Sequence, residues 1–198
     1  MLYFGLKKGH GMKIILGEYS GRNIYMPAHI RPTQNLLRKA VFDIIGHDLT
    51  GIRFLDLFAG SGAVGFEALS CGASEVCMVE RDPKCVEVIQ ENLLMLKPAL
   101  RGLKAEVKTQ DAFAAVKDFA RTGRLFDVVF FDPPFDQKLG RKALKTLLAH
   151  DILAPHSYIL AQYGLDEKLE DADERFALIK HKKYGSSQLT VLERTDGE

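Results

Sequence analysis

The sequence predicts an α/β fold: a doubly wound, Rossmann-like sheet, mostly parallel, with a C-terminal antiparallel hairpin and a small N-terminal β-hairpin and helix. Three observations lead to this prediction. From residue 52 onward, short apolar runs typical of strands alternate with longer runs of helical periodicity, and this pattern produces βαβ units. A glycine-rich segment, FAGSGA, stands between the first of these strands and a helix. Near the end of the chain, two strand-like runs flank Gly185 and Ser186, which suit a hairpin turn.

The length and composition suit one globular domain with a small addition. The chain has 198 residues, of which 46% are hydrophobic and 27% charged, so a packed core is expected and disorder is not. We interpret residues 1–11 as an extension, residues 12–48 as the N-terminal hairpin and helix, and residues 49–198 as the main domain. In residues 12–48, the runs MKIIL and NIYM flank a glycine-containing turn. The helix that follows has Thr33 as its N-cap and ends at Gly46.

The main domain contains four strand and helix pairs and then three further strands. Four runs predict the paired strands: IRFLDLF, SEVCMVE, AEVKTQ and FDVVFFD. The helices that follow them are predicted by AVGFEALSCG, PKCVEVIQENLLMLK, DAFAAVKDFA and KLGRKALKTLLAH. The last three strands are predicted by HSYILAQY, ERFALIKHKKYG and SSQLTVLER. Helices are therefore expected on both faces of the sheet.

The composition excludes several classes of protein. No stretch approaches the roughly 18 consecutive apolar residues of a membrane-spanning helix, so we expect a cytoplasmic protein without a membrane segment. The three cysteines form no C-x-x-C pair and the six histidines are scattered, so neither a disulfide framework nor a metal site is expected. With 27 basic and 26 acidic residues, any contact with nucleic acid must come from local basic groups such as Lys180, Lys182 and Lys183.

The FAGSGA segment is typical of a loop that binds a nucleotide-type cofactor. Glycines let the backbone turn tightly and approach a ligand closely, and the helix that follows presents free N–H groups at its N-terminus. Gly60, Gly62 and Gly65 also satisfy the pattern G-x-G-x-x-G, which by itself favours NAD. The glycines alone therefore leave the identity of the cofactor open.

Two acidic residues follow the next two strands. Glu80 ends the second strand about 20 residues after the glycines, where such folds place the acid that accepts hydrogen bonds from ribose hydroxyls. Asp111 and Ala112 follow the third strand, where a carboxylate and the backbone can reach an adenine edge. A ligand that contains adenosine fits these positions.

The fourth strand ends in Asp132, Pro133, Pro134 and Phe135, at the edge where open α/β sheets bind their ligands. The prolines fix the backbone, so the Asp132 carboxylate and the Pro133 carbonyl can converge on one point. Such an acceptor pair suits an exocyclic amine, because accepting both hydrogens turns the nitrogen lone pair toward an electrophile. The carboxylate also stabilises the positive charge that develops as a methyl group arrives. Phe135 offers a flat face for an extruded base, so we predict methyl transfer to a base amino group.

The chain as a whole resembles a known family. The segments that carry the resemblance are MKIILGEYSGRNI, RPTQNLLRKAVFDIIG, FLDLFAGSGAVGFEALSCGASEVCMVERD, FFDPPF and KKYGSSQLTVLER. Together they are similar to the bacterial guanine-N2 methyltransferases of small-subunit ribosomal RNA, the RsmD type, over nearly the whole chain from Met12. Two positions differ: Lys39 stands where the family usually has glutamate, and Gln162 where it often has an acid.

The resemblance implies a methyltransferase sheet, S-adenosylmethionine as the cofactor, and three sets of site residues. The implied cofactor contacts are Asp56, Phe58, Ala59, Gly60, Ser61, Gly62, Glu80, Arg81, Asp111 and Ala112. The implied catalytic residues are Asp132, Pro133, Pro134 and Phe135. The implied substrate contacts are Arg31, Thr33 and Arg38.

The resulting hypothesis is methyl transfer from S-adenosylmethionine to the exocyclic N2 of a guanine in small-subunit (16S) ribosomal RNA, without a metal ion. The expected partner is that RNA within a ribosomal particle, and the expected oligomeric state is a monomer. Three alternatives stay open: an adenine-N6 or protein-amide methyltransferase, which has a related N-P-P-Y or D-P-P-Y corner; an NAD-dependent oxidoreductase, which leaves D-P-P-F without a purpose; and a non-catalytic RNA-binding module.

Overall fold

A computed structural model of the chain describes residues 11–30, 35–100, 102–169 and 173–195. Residues 1–10 of the predicted extension and the predicted N-cap Thr33 lie outside these ranges. The strands are β1 Met12–Lys13, β2 Asn23–Ile24, β3 Arg53–Leu57, β4 Glu75–Glu80, β5 Lys104–Thr109, β6 Phe126–Phe131, β7 Leu153–Gly164, β8 Phe176–Tyr184 and β9 Ser187–Arg194. The α-helices are α1 Asn35–Ile45, α2 Ala63–Ser70, α3 Pro83–Leu96, α4 Ala112–Thr122 and α5 Gly140–Ala149.

Seven strands form one sheet in the order β5-β4-β3-β6-β7-β9-β8, and β1 and β2 pair as a separate antiparallel hairpin. Strands β3 to β7 run parallel to one another, whereas β9 is antiparallel to β7 and β8. The predicted fold class is therefore confirmed. The chain order changes direction at β3, with β4 and β5 on one side and β6 and β7 on the other, and such a switch point opens a crevice at the carboxyl ends of the strands.

Helices cover both faces of the sheet, as the βαβ pattern predicts. Residues of α1, α2 and α3 pack on one face together with Phe54 and Phe130, and residues of α4 and α5 pack on the other together with Leu55 and Phe131. Successive residues of one strand thus enter opposite core layers, which is why the central strands are apolar throughout. None of the described helices is long and apolar enough to cross a membrane.

The N-terminal hairpin is shorter than its apolar runs suggest. β1 and β2 have two residues each. The Ile14 N–H still donates across the hairpin to the Arg22 carbonyl at 3.0 Å, but the N–H groups of Ile15 and Leu16 donate to the Glu67 carboxylate of α2 at 3.0 Å each. The hairpin is therefore attached to the main domain, and Met12 and Ile24 belong to the same core as α2.

The predicted role of Arg38 as a substrate contact is not compatible with its position in the structure. Its guanidinium donates to Glu67 at 2.7 Å and to Asn35 at 2.6 Å, and the side chains of Arg38 and Glu67 are both 0% exposed. Burial lowers the pKa of Arg38 and raises that of Glu67, while their mutual attraction opposes both shifts. The predicted substrate contact is therefore replaced by a structural role, since Arg38 joins α1 to α2 and does not reach the surface.

Candidate active site

The predicted catalytic residues and all of the predicted cofactor residues except Asp56 and Gly62 line one cleft at the carboxyl edge of the sheet. The cleft has a volume of about 430 Å³, which is typical of a small-molecule site. The predicted residues that line it are Phe58, Ala59, Gly60, Ser61, Glu80, Arg81, Asp111, Ala112, Asp132, Pro133, Pro134 and Phe135. Six further residues line the cleft and were not predicted from the sequence: His29, Ile30, Val79, Asp82, Gln110 and Leu139.

The glycine-rich loop between β3 and α2 has a backbone that favours glycine. Gly60 and Gly62 have φ angles of +55° and +75°, in the left-handed region that other residues rarely adopt. A Cβ atom at Gly62 would lie 3.0 Å from the Met78 sulfur. Gly62 is the N-cap of α2 and packs behind the loop, whereas Gly60 lines the cleft. At Gly60 the loop thus brings bare backbone to the cleft.

Phe58 forms an apolar wall of the cleft in spite of a strained backbone. Its φ angle of +62° is left-handed, which costs a residue other than glycine on the order of 1–3 kcal/mol. The Phe58 ring packs edge-on against Phe113 of α4, with the ring centroids 5.8 Å apart. This packing offsets the strain and links the glycine-rich loop to α4.

Glu80 holds the glycine-rich loop while it lines the cleft. One carboxylate oxygen accepts from the Gly60 N–H at 2.7 Å, and the other accepts from the Asp82 N–H at 2.8 Å. A carboxylate has about four lone-pair positions, so these two bonds leave room for the ribose hydroxyls that the sequence predicts.

Asp111 is the N-cap of α4. Its Oδ1 atom accepts from the backbone N–H groups of Phe113 and Ala114 at 3.0 and 3.1 Å, which fixes the side chain at the rim of the cleft. Ala112 follows as the first residue of the helix. The pair is therefore oriented by the start of α4.

Asp56 lies beneath the loop and does not line the cleft. The residue is 2% exposed, and its Oδ2 atom accepts from the Gly65 N–H at 3.0 Å. Burial, followed by the charges of Asp132 and Glu80, raises the pKa of Asp56 to about 8. Asp56 can therefore act on a ligand only through the loop that it holds.

The D-P-P-F corner follows β6 directly. Asp132 is half-buried, Pro133 is buried, and Phe135 begins a short 3-10 turn. A Cβ atom at Gly164, the last residue of β7, would lie 3.4 Å from the Phe135 Cβ atom, so glycine lets this strand end pack closely against the phenylalanine. The corner lies in the same cleft as Gly60.

The segment after the corner is anchored by Glu167. Its carboxylate accepts from the backbone N–H groups of Gly140 and Arg141 at 3.2 and 2.6 Å, which caps α5. Its carbonyl accepts from Gln188 of β9 at 2.7 Å, and the same amide donates to the Gly164 carbonyl at 2.9 Å. Glu167 and Gln188 therefore tie the start of α5 to the end of β7 and the start of β9.

Comparison with known proteins identifies the family. A family model described as Conserved hypothetical protein 95 matches residues 12–193. Ribosomal RNA small subunit methyltransferase D of Haemophilus influenzae is 32% identical over 176 residues, which cover 88% of this chain and 89% of that protein. The chain belongs to the ribosomal RNA small subunit methyltransferase D family.

Solved structures agree with the fold of this family. A hypothetical protein from Thermus thermophilus has a TM-score of 0.75 and 32% identity, with 91% of this chain and 98% of that chain covered. An RNA methyltransferase from Salinibacter ruber in complex with S-adenosyl-L-homocysteine has a TM-score of 0.61 and 16% identity, with 85% and 96% covered. At that identity the second likeness concerns the fold alone.

One group of side chains beside the cleft has the composition of a metal site. His29, Asp82 and Cys85 place one potential ligand atom each within 4.8 Å of one another. His29 Nε2 and Asp82 Oδ2 are in direct contact at 2.8 Å, and burial raises the pKa of the Cys85 thiol to about 12. The hydrogen bond between His29 and Asp82 connects the N-terminal segment to the start of α3. That the reaction needs no metal ion stays a prediction.

The remaining predicted positions lie outside the cleft or outside the described residues. Arg31 and Thr33 belong to the second group. Lys39 pairs with Asp43 on the exposed side of α1 at 2.8 Å. Gln162 is buried in β7 and donates to Ser187 at 3.5 Å. The two positions that depart from the family pattern are therefore both away from the cleft lining.

Proposed function

We propose that this protein transfers a methyl group from S-adenosylmethionine to the exocyclic N2 of a guanine in small-subunit ribosomal RNA. It acts in the cytoplasm, as a monomer, on RNA assembled in a ribosomal particle, and it needs no metal ion. The observation that carries the proposal is the position of Asp132 and Pro133 in the same cleft as the Gly60 loop and Glu80. One cleft therefore holds both the proposed acceptor pair for an amine and the proposed site for an adenosine-type cofactor.

The charge of the cleft favours S-adenosylmethionine over NAD. Four carboxylates line it, from Glu80, Asp82, Asp111 and Asp132, and Arg81 is the one arginine or lysine among the described lining residues. An acidic wall attracts a cationic sulfonium and repels a pyrophosphate. S-adenosylmethionine, when bound, supplies a methyl group that is already activated by its positive sulfur. The Salinibacter ruber protein, which holds the demethylated product, shares the fold.

The residues of the chain contribute positioning and charge. The Pro133 carbonyl and the Asp132 carboxylate accept the two N–H hydrogens of the target amine, and the carboxylate stabilises the positive charge that develops on nitrogen. Phe135 stacks on the base after it leaves its helix. Holding both reactants in one cleft lowers the barrier by on the order of 7–11 kcal/mol.

The guanine assignment depends on family membership, since this corner accepts any exocyclic amine. Adenine N6 and a glutamine amide are therefore the outcomes to be separated. The experiment is to incubate the protein with labelled cofactor and small ribosomal subunits that lack the modification, digest the RNA to nucleosides, and identify the product by mass spectrometry. We expect N2-methylguanosine. Label in N6-methyladenosine, or in protein only, rejects the guanine assignment but keeps the methyltransferase class.

A further inference from the structure

A second concave surface lies next to the cleft, between α4 and α5. It has a volume of about 510 Å³. Five basic side chains line it: Lys117, Lys138, Arg141, Lys142 and Lys145. We call this surface the α4–α5 groove.

The α4–α5 groove concentrates positive charge in a nearly neutral chain. The formal net charge is +1, yet no carboxylate is among the described residues that line the groove. All five basic residues are exposed. Lys138 pairs with Asp166 at 3.4 Å, but both side chains are exposed, and such a pair contributes little. The groove is thus a strong local attractor of anions.

The groove borders the cleft. Leu139 lines the cleft and the adjacent Lys138 lines the groove. The ammonium of Lys142 lies 4.1 Å from the centre of the Phe113 ring, and Phe113 packs against Phe58 in the cleft wall. A polymer whose target base enters the cleft therefore has its neighbouring segment within reach of the groove.

We propose that the α4–α5 groove binds the sugar-phosphate backbone beside the methylated nucleotide. This proposal rests on the function proposed above. An extruded base leaves the phosphates next to it outside the pocket, and several lysines, with no carboxylate among the described lining residues, complement a run of phosphates. Arg141 and Lys145 are four residues apart on α5, so successive turns of one helix present a charge to the strand. The groove positions the RNA, while Asp132 acts on the base.

The test compares two double variants by their salt dependence. Lys117→Gln with Lys145→Gln removes charge from both sides of the groove, and Lys97→Gln with Lys104→Gln removes the same charge from an exposed surface near β5. Affinity for a fluorescent single-stranded RNA of mixed sequence is measured by anisotropy as the KCl concentration changes. Each contact with single-stranded RNA contributes about 0.7 to the slope of log K against log salt.

We expect the slope of the groove variant to decrease by about 1.4 for two lost contacts. The wild-type protein then loses about sevenfold more affinity than this variant between about 50 and about 200 mM KCl. The control variant keeps the wild-type slope, and both variants keep their affinity for S-adenosylmethionine. An unchanged slope in the groove variant overturns the proposal, as does equal binding of a polyglutamate peptide, which indicates an acidic protein partner.

A failure of the groove and a failure of the proposed function give different results. If wild-type protein produces N2-methylguanosine and the groove variant keeps both its KM for ribosomal particles and its salt slope, the groove is rejected and the function stands. If no methylated guanosine forms with wild-type protein while the slope still decreases, the function is rejected and RNA binding by the groove stands.

Discussion

The cleft and the α4–α5 groove are neighbours with opposite charge. Four carboxylates line the cleft and five basic side chains line the groove, although Phe58 and Phe113 are in contact between them. The difference suits the two ligands proposed above, a cationic cofactor in the cleft and a polyanionic strand in the groove. A formal net charge of +1 therefore does not exclude a local nucleic-acid surface.

The largest expected effect is on the acidic side of this comparison. Asp132→Ala should lower kcat by about 10²–10³-fold, because in the proposed mechanism it removes a preorganised charge at the target nitrogen. The affinity for S-adenosylmethionine should change little, since the Gly60 loop and Glu80 remain. Turnover on ribosomal particles and calorimetric titration with the cofactor measure the two quantities. Asp151→Ala, which removes an exposed acid, serves as the control, and full turnover by Asp132→Ala contradicts the catalytic assignment.

A substitution in the loop should affect the cofactor first. Gly60→Val places a β-branched residue at φ +55°, a strain on the order of 1–3 kcal/mol that the loop relieves by moving. Cofactor affinity should decrease by about tenfold or more. Gly123→Val is the matched control, because Gly123 has φ +68° with open space around it at the end of α4. Equal loss of cofactor binding in both variants indicates general destabilisation instead.

The burial of Asp56 beneath the glycine-rich loop also predicts a pH dependence of stability. The pKa of Asp56 is raised from 3.8 to about 8, so its contribution to stability is complete below pH 3.8 and is lost as the pH rises through about 8. Asp56→Asn cannot ionise, so it should not lose this stability. Between pH 3.8 and about 8, its free energy of unfolding should decrease less than that of the wild-type protein. Chemical denaturation at several pH values measures the difference. Asp151→Asn is the control, and parallel pH profiles for wild type and Asp56→Asn exclude a protonated Asp56.

The two surfaces differ in how well the sequence predicts them. The glycine-rich loop and D-P-P-F are each contiguous, and each directly follows an apolar strand, so the topology of the sheet brings them together. The α4–α5 groove is built from Lys117 and from residues 138–150, and only helix packing brings these segments together. Arg38 is a residue whose burial the sequence does not predict. Its buried partner Glu67 is 29 residues away, so no local pattern shows that the arginine is internal.

The smallest effect should come from the apolar face of the corner. Phe135→Leu keeps an apolar side chain against Gly164 but loses the aromatic face, and stacking on a base contributes on the order of 1–3 kcal/mol. Leucine retains part of this contact, so we expect a decrease in kcat/KM of about tenfold, well below that of Asp132→Ala. Phe119 forms a buried aromatic pair with Phe126 away from the cleft lining, so Phe119→Leu controls for lost packing.

The decisive comparison for Phe135→Leu is between two RNA substrates. If the target base leaves its helix to reach Asp132, Phe135→Leu should have less effect on a flexible single-stranded guanine than on the folded particle, because an unstacked base pays no unpairing cost. If Phe135→Leu lowers kcat/KM by the same factor on both substrates, Phe135 is only a part of the cleft wall, and the backbone contacts alone position the base.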